Sequence, residues 1–148
     1  MRSILMTAAA FGLALSATAW ADDKGDPAAG EKVFSKCKSC HTIADGDNVI
    51  QKGGKTGPNL FGVVGRPAAS LEDFKYGEGI KEAAEKGLIW DEENLVKYVE
   101  DPTEFLEEFT GDKKAKSKMT FKLNKGEKDI VAYLASLAPA DAAAAPAK

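Results

Sequence analysis

Both cysteines and the single histidine of the 148-residue chain fall within five positions, Cys37-Lys38-Ser39-Cys40-His41. Two thiols three residues apart lie on one helical turn, and the imidazole follows at once. A disulfide there would close a loop too small to hold anything distant together. A thiol-disulfide oxidoreductase would place its pair at a helix start beside a βαβ pattern, whereas here the pair ends a helical stretch and strand runs are scarce. A closed structural zinc site needs four ligands of the cysteine and histidine type, and the chain has three. What remains is the haem-attachment pentapeptide. Cys37 and Cys40 reach the two vinyl groups as thioethers, and His41 is aimed at the iron because the tethers fix the ring against its turn. The spacing predicts one covalently bound haem c per chain.

Iron in haem has two axial positions. No second histidine exists, and both cysteines are committed to the ring. Methionines stand at 1, 6 and 119, and the first two lie in a leader. A lone methionine ordinarily fills a gap in a core, but elimination leaves Met119 as the second axial ligand. A thioether opposite an imidazole raises the reduction potential. With both positions filled, oxygen and peroxide find no open site, which argues for electron transfer rather than catalysis. The rival is a haem peroxidase or a gas-sensing haem protein, whose distal ligand must leave.

The leader is residues 1–21: Arg2 supplies a positive charge, Ile4 to Thr18 are apolar or small, and Ala19-Trp20-Ala21 offers a small-x-small cleavage site. That order is a cleavable secretory signal, and the apolar run falls short of the ~20 residues needed to span a bilayer. Export places the mature chain in the periplasm. The net charge of −3 excludes a generally basic nucleic-acid binder.

Several helices must position these groups. Asp26-Pro27 is an N-cap with proline at the first helical position, and Gly30, Val33, Phe34 and Cys37 then share one face. Gly30 costs a helix interior about 1 kcal/mol relative to alanine, so a close-passing backbone is expected there. Residues 42–70, rich in glycine, read as loop, organised by a large cofactor. A second helix is expected from Leu71 to Lys86, broken near Gly77 and Gly79 and stopped by Gly87. A third begins at Asp91 and ends before Pro102, and a short fourth covers Pro102 to Phe109. The last has Asn124 as its cap, Glu127 at the capping-box position, and an Ile130, Tyr133, Leu134, Leu137 stripe. The mature domain is set at 22–138, followed by an Ala/Pro-rich, disordered tail at 139–148. The fold class expected is all-α.

These motifs resemble the class I cytochromes c, in particular the larger bacterial cytochrome c2 and c-550 type. The resemblance runs from about Gly30 to Leu137. It includes Gly30 and Phe34 before the pentapeptide and Lys55-Thr56-Gly57-Pro58-Asn59-Leu60 after it, then Gly65-Arg66, Phe74-Lys75-Tyr76, Trp90, Leu95 to Tyr98, Asp101-Pro102, Lys118-Met119 and Asp129 to Leu134. It implies N- and C-terminal helices that cross, with long loops wrapped round one haem. It implies further that the Pro58 carbonyl meets the His41 ring N–H, that Tyr98 hydrogen-bonds near the Met119 sulfur, and that Arg66, Tyr76 and Trp90 hold a haem propionate. Gly30 and Phe34 would cross the last helix near Ile130 and Tyr133. Two departures stand out. Residues 45–52 and 107–116 look like insertions relative to short members, and Ile80 stands where asparagine is common, which alters the polar network beside the haem.

By the same resemblance the protein is a monomer accepting electrons from a quinol:cytochrome c reductase. It would deliver them to a cytochrome c oxidase or a photosynthetic reaction centre, touching membrane complexes only at their surface. Charge segregation fits this role. Residues 72–108 hold 13 acidic against 4 basic side chains, and residues 111–128 hold 7 lysines against Asp112 and Glu127. The basic clusters flank the two iron-ligating segments, so Lys38, Lys55, Lys114, Lys118 and Lys122 are expected to dock acidic partners and steer the encounter.

Overall fold

The computed structural model describes residues 24–137; the leader and the tail lie outside them. Five helices and one hairpin follow in order: α1 Pro27–Val33, β1 Ile43–Asp45, β2 Asn48–Gln51, α2 Glu78–Glu85, α3 Glu92–Glu100, α4 Pro102–Thr110 and α5 Glu127–Ser136. Among the described residues no helix is long and apolar enough to cross a membrane.

The α1 start is as the sequence predicts. Asp26 caps it by accepting from the Ala28 N–H, Pro27 opens the first turn, and the Asp26 N–H reaches across to the Asp129 carboxylate of α5 at 2.8 Å. The costly Gly30 is explained by the crossing: a Cβ there would lie 2.0 Å from the Asp129 carbonyl oxygen and 2.7 Å from Tyr133 Cβ. Phe34, 1 % exposed, sits beside Tyr133 with ring centroids 6.4 Å apart. After Val33 the helix tightens into a 3-10 turn, Phe34–Lys36, which delivers Cys37 at its end.

Three elements differ from expectation. The stretch read as uninterrupted loop contains an antiparallel hairpin pairing Asp45 with Asn48 and Ala44 with Val49. Gly46 and Asp47 form its two-residue turn, and Gly46 takes the positive φ of 55° that such a turn demands. The second helix begins at Glu78 rather than Leu71, because Gly77 holds an extended conformation (φ −76°, ψ 160°) as its cap. The Phe74 and Tyr76 rings ahead of it meet edge to face, 4.9 Å apart. The last helix is capped by Gly126 with φ 90° and no side-chain bond, not by Asn124. Glu127 is therefore the first helical residue, and a capping box cannot form. Gly126 lies where a Cβ would come within 2.8 Å of Val33 Cγ2, so the α1–α5 contact decides where the helix begins.

Both middle helices obey their caps. Asp91 accepts from the Asn94 N–H and Asp101 from the Glu104 N–H, with Pro102 opening α4 and Gly111 closing it at φ 74°. Trp90, Tyr98 and Phe105 pack in mutual ring contact, with Trp90 4.8 Å from Tyr98 and Tyr98 5.9 Å from Phe105. They join Leu95, Leu106, Leu123, Ile130 and Leu134 in one core.

Candidate functional site

The pentapeptide forms the turn that closes the N-terminal helix. The Cys40 and His41 N–H groups both donate to the Cys37 carbonyl, at 3.1 and 3.0 Å, which stacks the two thiols and the imidazole within one tight turn. Cys37 and Cys40 are not bridged to each other; Cys37 is half-buried and Cys40 exposed. Burial pushes the Cys37 thiol above its ordinary value, opposed by Lys36 and reinforced by Cys40.

A glycine-rich strap crosses this turn. The Gly54 N–H donates to the Lys38 carbonyl at 2.9 Å and the Gly57 N–H to the Cys40 carbonyl at 2.9 Å. A Cβ on Gly53 would lie 1.9 Å from the His41 carbonyl oxygen, and one on Gly57 would lie 2.3 Å from His41 Cε1. Thr42 ties the two sides, its hydroxyl donating to the Gly54 carbonyl and accepting from the Gly53 N–H, both at 3.2 Å. The Pro58 carbonyl then stands 2.8 Å from His41 Nδ1. A carbonyl can only accept, so Nδ1 carries the proton and Nε2 keeps its lone pair. Burial lowers the His41 pKa below its ordinary value, and the Pro58 bond partly opposes this. A neutral ring with Nε2 free is the form in which histidine binds a metal.

Met119 is half-buried and packed against the core. Its N–H donates to Ser117 Oγ at 3.0 Å, and the same oxygen meets the Tyr98 hydroxyl at 2.9 Å. The structure thus gives the Tyr98 hydroxyl to Ser117, one step from Met119. Ser117 was missed in the sequence reading. The signal was available: a serine two residues before a functional position can accept that residue's N–H in a local turn. Burial raises the Tyr98 pKa, and the Ser117 bond works against it.

Arg66 lies beside both Trp90 and Tyr76. The Trp90 N–H donates to the Arg66 carbonyl at 2.9 Å. Burial lowers the Arg66 pKa, and the nearby Tyr76 phenol offsets part of that. Arg66 spends two of its donors on backbone, Nη1 on the Phe61 carbonyl and Nη2 on the Asn59 carbonyl, both at 3.1 Å. Ile80 is buried at the start of α2. The residues present fit a covalent haem on the chemistry of the donor set: two thiols on one turn that are not bridged to each other, an imidazole whose Nδ1–H is held by Pro58, a glycine strap packed against that ring, and a thioether at Met119.

No family model matches the chain. Among proteins of known identity it is similar to cytochrome c-550 of Paracoccus versutus, 56 % identical over 151 aligned positions that cover 99 % of this chain and 96 % of that protein. It is also similar to cytochrome c2 of Cereibacter sphaeroides, 58 % identical over 120 positions that cover 78 % of this chain and 97 % of that one. The crystal structure of ferric Paracoccus versutus cytochrome c-550 superposes with a TM-score of 0.76 at 58 % identity, covering 78 % of this chain and 99 % of that structure.

The chain belongs to the class I cytochrome c family. Its relatives there are of the bacterial cytochrome c2 and c-550 type, and like them it is an electron carrier with one covalently bound haem c, not an enzyme.

Proposed function

We propose that this protein is a periplasmic one-electron shuttle of the cytochrome c2 type. It receives electrons from a quinol:cytochrome c reductase and passes them to a terminal cytochrome c oxidase or a photosynthetic reaction centre. Bound through Cys37 and Cys40, the haem supplies an Fe(II)/Fe(III) couple. The chain's own residues hold the group, tune it and keep water from it. His41 would give its imidazole Nε2 to the iron, and Met119 its thioether sulfur. Arg66, Tyr76 and Trp90 would hold a haem propionate. The observation that carries this reading is the His41–Pro58 bond at 2.8 Å: it leaves the chain's one imidazole with a single free lone pair, on the turn that bears both thiols.

Cleavage after Ala21 would deliver the mature chain to the periplasm. Docking falls to Lys38, Lys55, Lys114, Lys118 and Lys122, all exposed. Phe121, 42 % exposed, offers an apolar contact between Lys118 and Lys122. Such a face suits an acidic partner surface.

Replacing the thioether tests the axial assignment. Met119→Ala should leave covalent haem in place, change the visible spectrum of the ferric protein, lower the midpoint potential and let the ferrous protein bind carbon monoxide rapidly. A Met119→Ala protein with the spectrum and potential of the wild type would refute it.

A further inference from the structure

The Pro58 carbonyl must be held still to keep its bond to the imidazole, yet proline has no N–H with which to anchor itself. The neighbouring residue provides the anchor. Asn59 Nδ2 donates to the Ala44 carbonyl at 2.7 Å, and its Oδ1 accepts from the Ala44 N–H at 3.1 Å. The side-chain amide thus pairs with both backbone groups of one β1 residue, as a neighbouring strand would. The same Oδ1 accepts from the Phe61 N–H at 3.1 Å, and the Asn59 backbone carbonyl accepts from Arg66 Nη2 at 3.1 Å. Leu60 adds a bond from its N–H to the Thr42 carbonyl at 3.1 Å. The peptide after Pro58 is clamped on both sides by one residue.

We propose that Asn59 is a positioning residue that, by pairing with Ala44 and Phe61, fixes the Pro58 carbonyl on His41 and so sets the electron-donating strength of the proximal imidazole. The inference rests on His41 being the proximal ligand. A held carbonyl gives the ring partial imidazolate character and makes it a better donor to Fe(III), and such outer hydrogen bonds are a known lever on haem potential. Aspartate at this position would still accept from the Ala44 and Phe61 N–H groups but would set a carboxylate against the Ala44 carbonyl. Alanine would remove every side-chain contact. Neither touches the haem-bearing turn directly.

The test uses the purified haem-loaded protein and compares wild type, Asn59→Ala, Asn59→Asp and Gln51→Ala, the last loosening the other attachment of the hairpin. The readouts are midpoint potential, exchange of the His41 Nδ1 proton by NMR in the ferrous state, and thermal stability. Asn59→Ala should raise the potential and speed ring-proton exchange at least tenfold, Asn59→Asp should do both to a smaller extent, and Gln51→Ala should lose stability while leaving both readouts in place. An Asn59→Ala protein that loses stability yet keeps wild-type potential and exchange would overturn the proposal, as would equal shifts in Gln51→Ala. If the Asn59 variants do not accumulate with haem, exchange in the wild type decides. A common opening rate for the Ala44 amide and the His41 ring proton supports the clamp, and a protected ring proton beside a freely exchanging Ala44 amide refutes it. Failure of the axial reading would be seen separately, in the Met119→Ala spectrum.

Discussion

His41 Nδ1 and the Pro58 carbonyl oxygen are 2.8 Å apart, and Gly57 immediately before the proline packs against the imidazole. Space for the ring and its hydrogen bond are therefore set by adjacent residues of one strap. In Gly57→Ala the added methyl would fall 2.3 Å from Cε1 and 2.6 Å from Nδ1. Either the ring or the strap must move, with a cost of roughly 1–3 kcal/mol as for other overpacked sites. Denaturant unfolding of the haem-loaded protein should show that loss, with a shifted potential beside it.

Gly30→Ala should be at least as damaging. Its Cβ would meet the Asp129 carbonyl at 2.0 Å, and that atom is backbone of a packed helix, not the movable end of a side chain. Parting the two helices would also disturb Phe34 and Tyr133. A loss of about 3 kcal/mol, at the upper end of overpacking costs, is expected by thermal or denaturant unfolding, with little change in the spectrum of the folded fraction.

Ser117 serves two partners, so its removal should cost more than removal of either. Ser117→Ala strands the buried Tyr98 hydroxyl and the Met119 N–H; an unsatisfied buried group costs about 1–3 kcal/mol. Tyr98→Phe leaves Ser117 bonded to Met119 and should be milder in stability. Chemical denaturation of both variants gives the comparison, and equal losses would count against this account.

Electron transfer to an acidic partner should slow as salt rises from ~10 to 200 mM, because screening lengths contract over that range. The structure ranks the lysines. Lys122 is ion-paired with Asp101, Lys113 and Lys116 pair with Glu107, and Lys118 donates to the Lys75 carbonyl at 3.3 Å. Lys38, Lys55 and Lys114 carry no ion pair among the described residues. Charge-neutralising variants of these three should reduce the second-order rate more than Lys122→Gln. A salt-independent rate would dispose of steering.

Acid should loosen the α4 end of the molecule. Hydrogen bonds from Lys122 and from the α4 backbone hold the Asp101 carboxyl below its ordinary value of 3.8, and Lys116 does the same for Glu107 against 4.5. Groups with folded values below the unfolded ones contribute stability above the unfolded pKa and lose it as pH falls through the folded one. Melting temperature should hold from pH 7 to about 5 and decline below about 4.5, in the range of those carboxyls. Asp101→Asn, which keeps a capping oxygen but not the charge, should flatten part of that decline.

Where a residue's own chemistry dictates the local backbone, the sequence was enough. Asp26-Pro27, Asp91 and Asp101-Pro102 cap where their side chains say, Gly87 stops α2, and Gly30 announces a crossing backbone. The hairpin was legible too, since Gly46-Asp47 between Ile43-Ala44-Asp45 and Asn48-Val49-Ile50-Gln51 satisfies a two-residue turn; it was obscured by the surrounding glycines. The α5 start was not legible, because it depends on Val33 lying against Gly126 from a segment over ninety positions away. Nor were the Ser117–Tyr98 and Asn59–Ala44 contacts at the site. Both are small polar side chains whose partners, Tyr98 and Ala44, are brought near only by the folded chain.

The Gln51 amide, at the end of β2, donates to the Tyr133 hydroxyl at 3.0 Å and to the Glu31 carboxylate at 3.3 Å. Residues 45–52 look like surplus length beside short relatives of the fold, yet their last strand is bolted to both terminal helices. The excursion behaves as a buttress: pruning it to a minimal turn would take away the side chain that joins α1 to α5 from outside, and the junction that seats the haem-bearing turn would lose its outer stay.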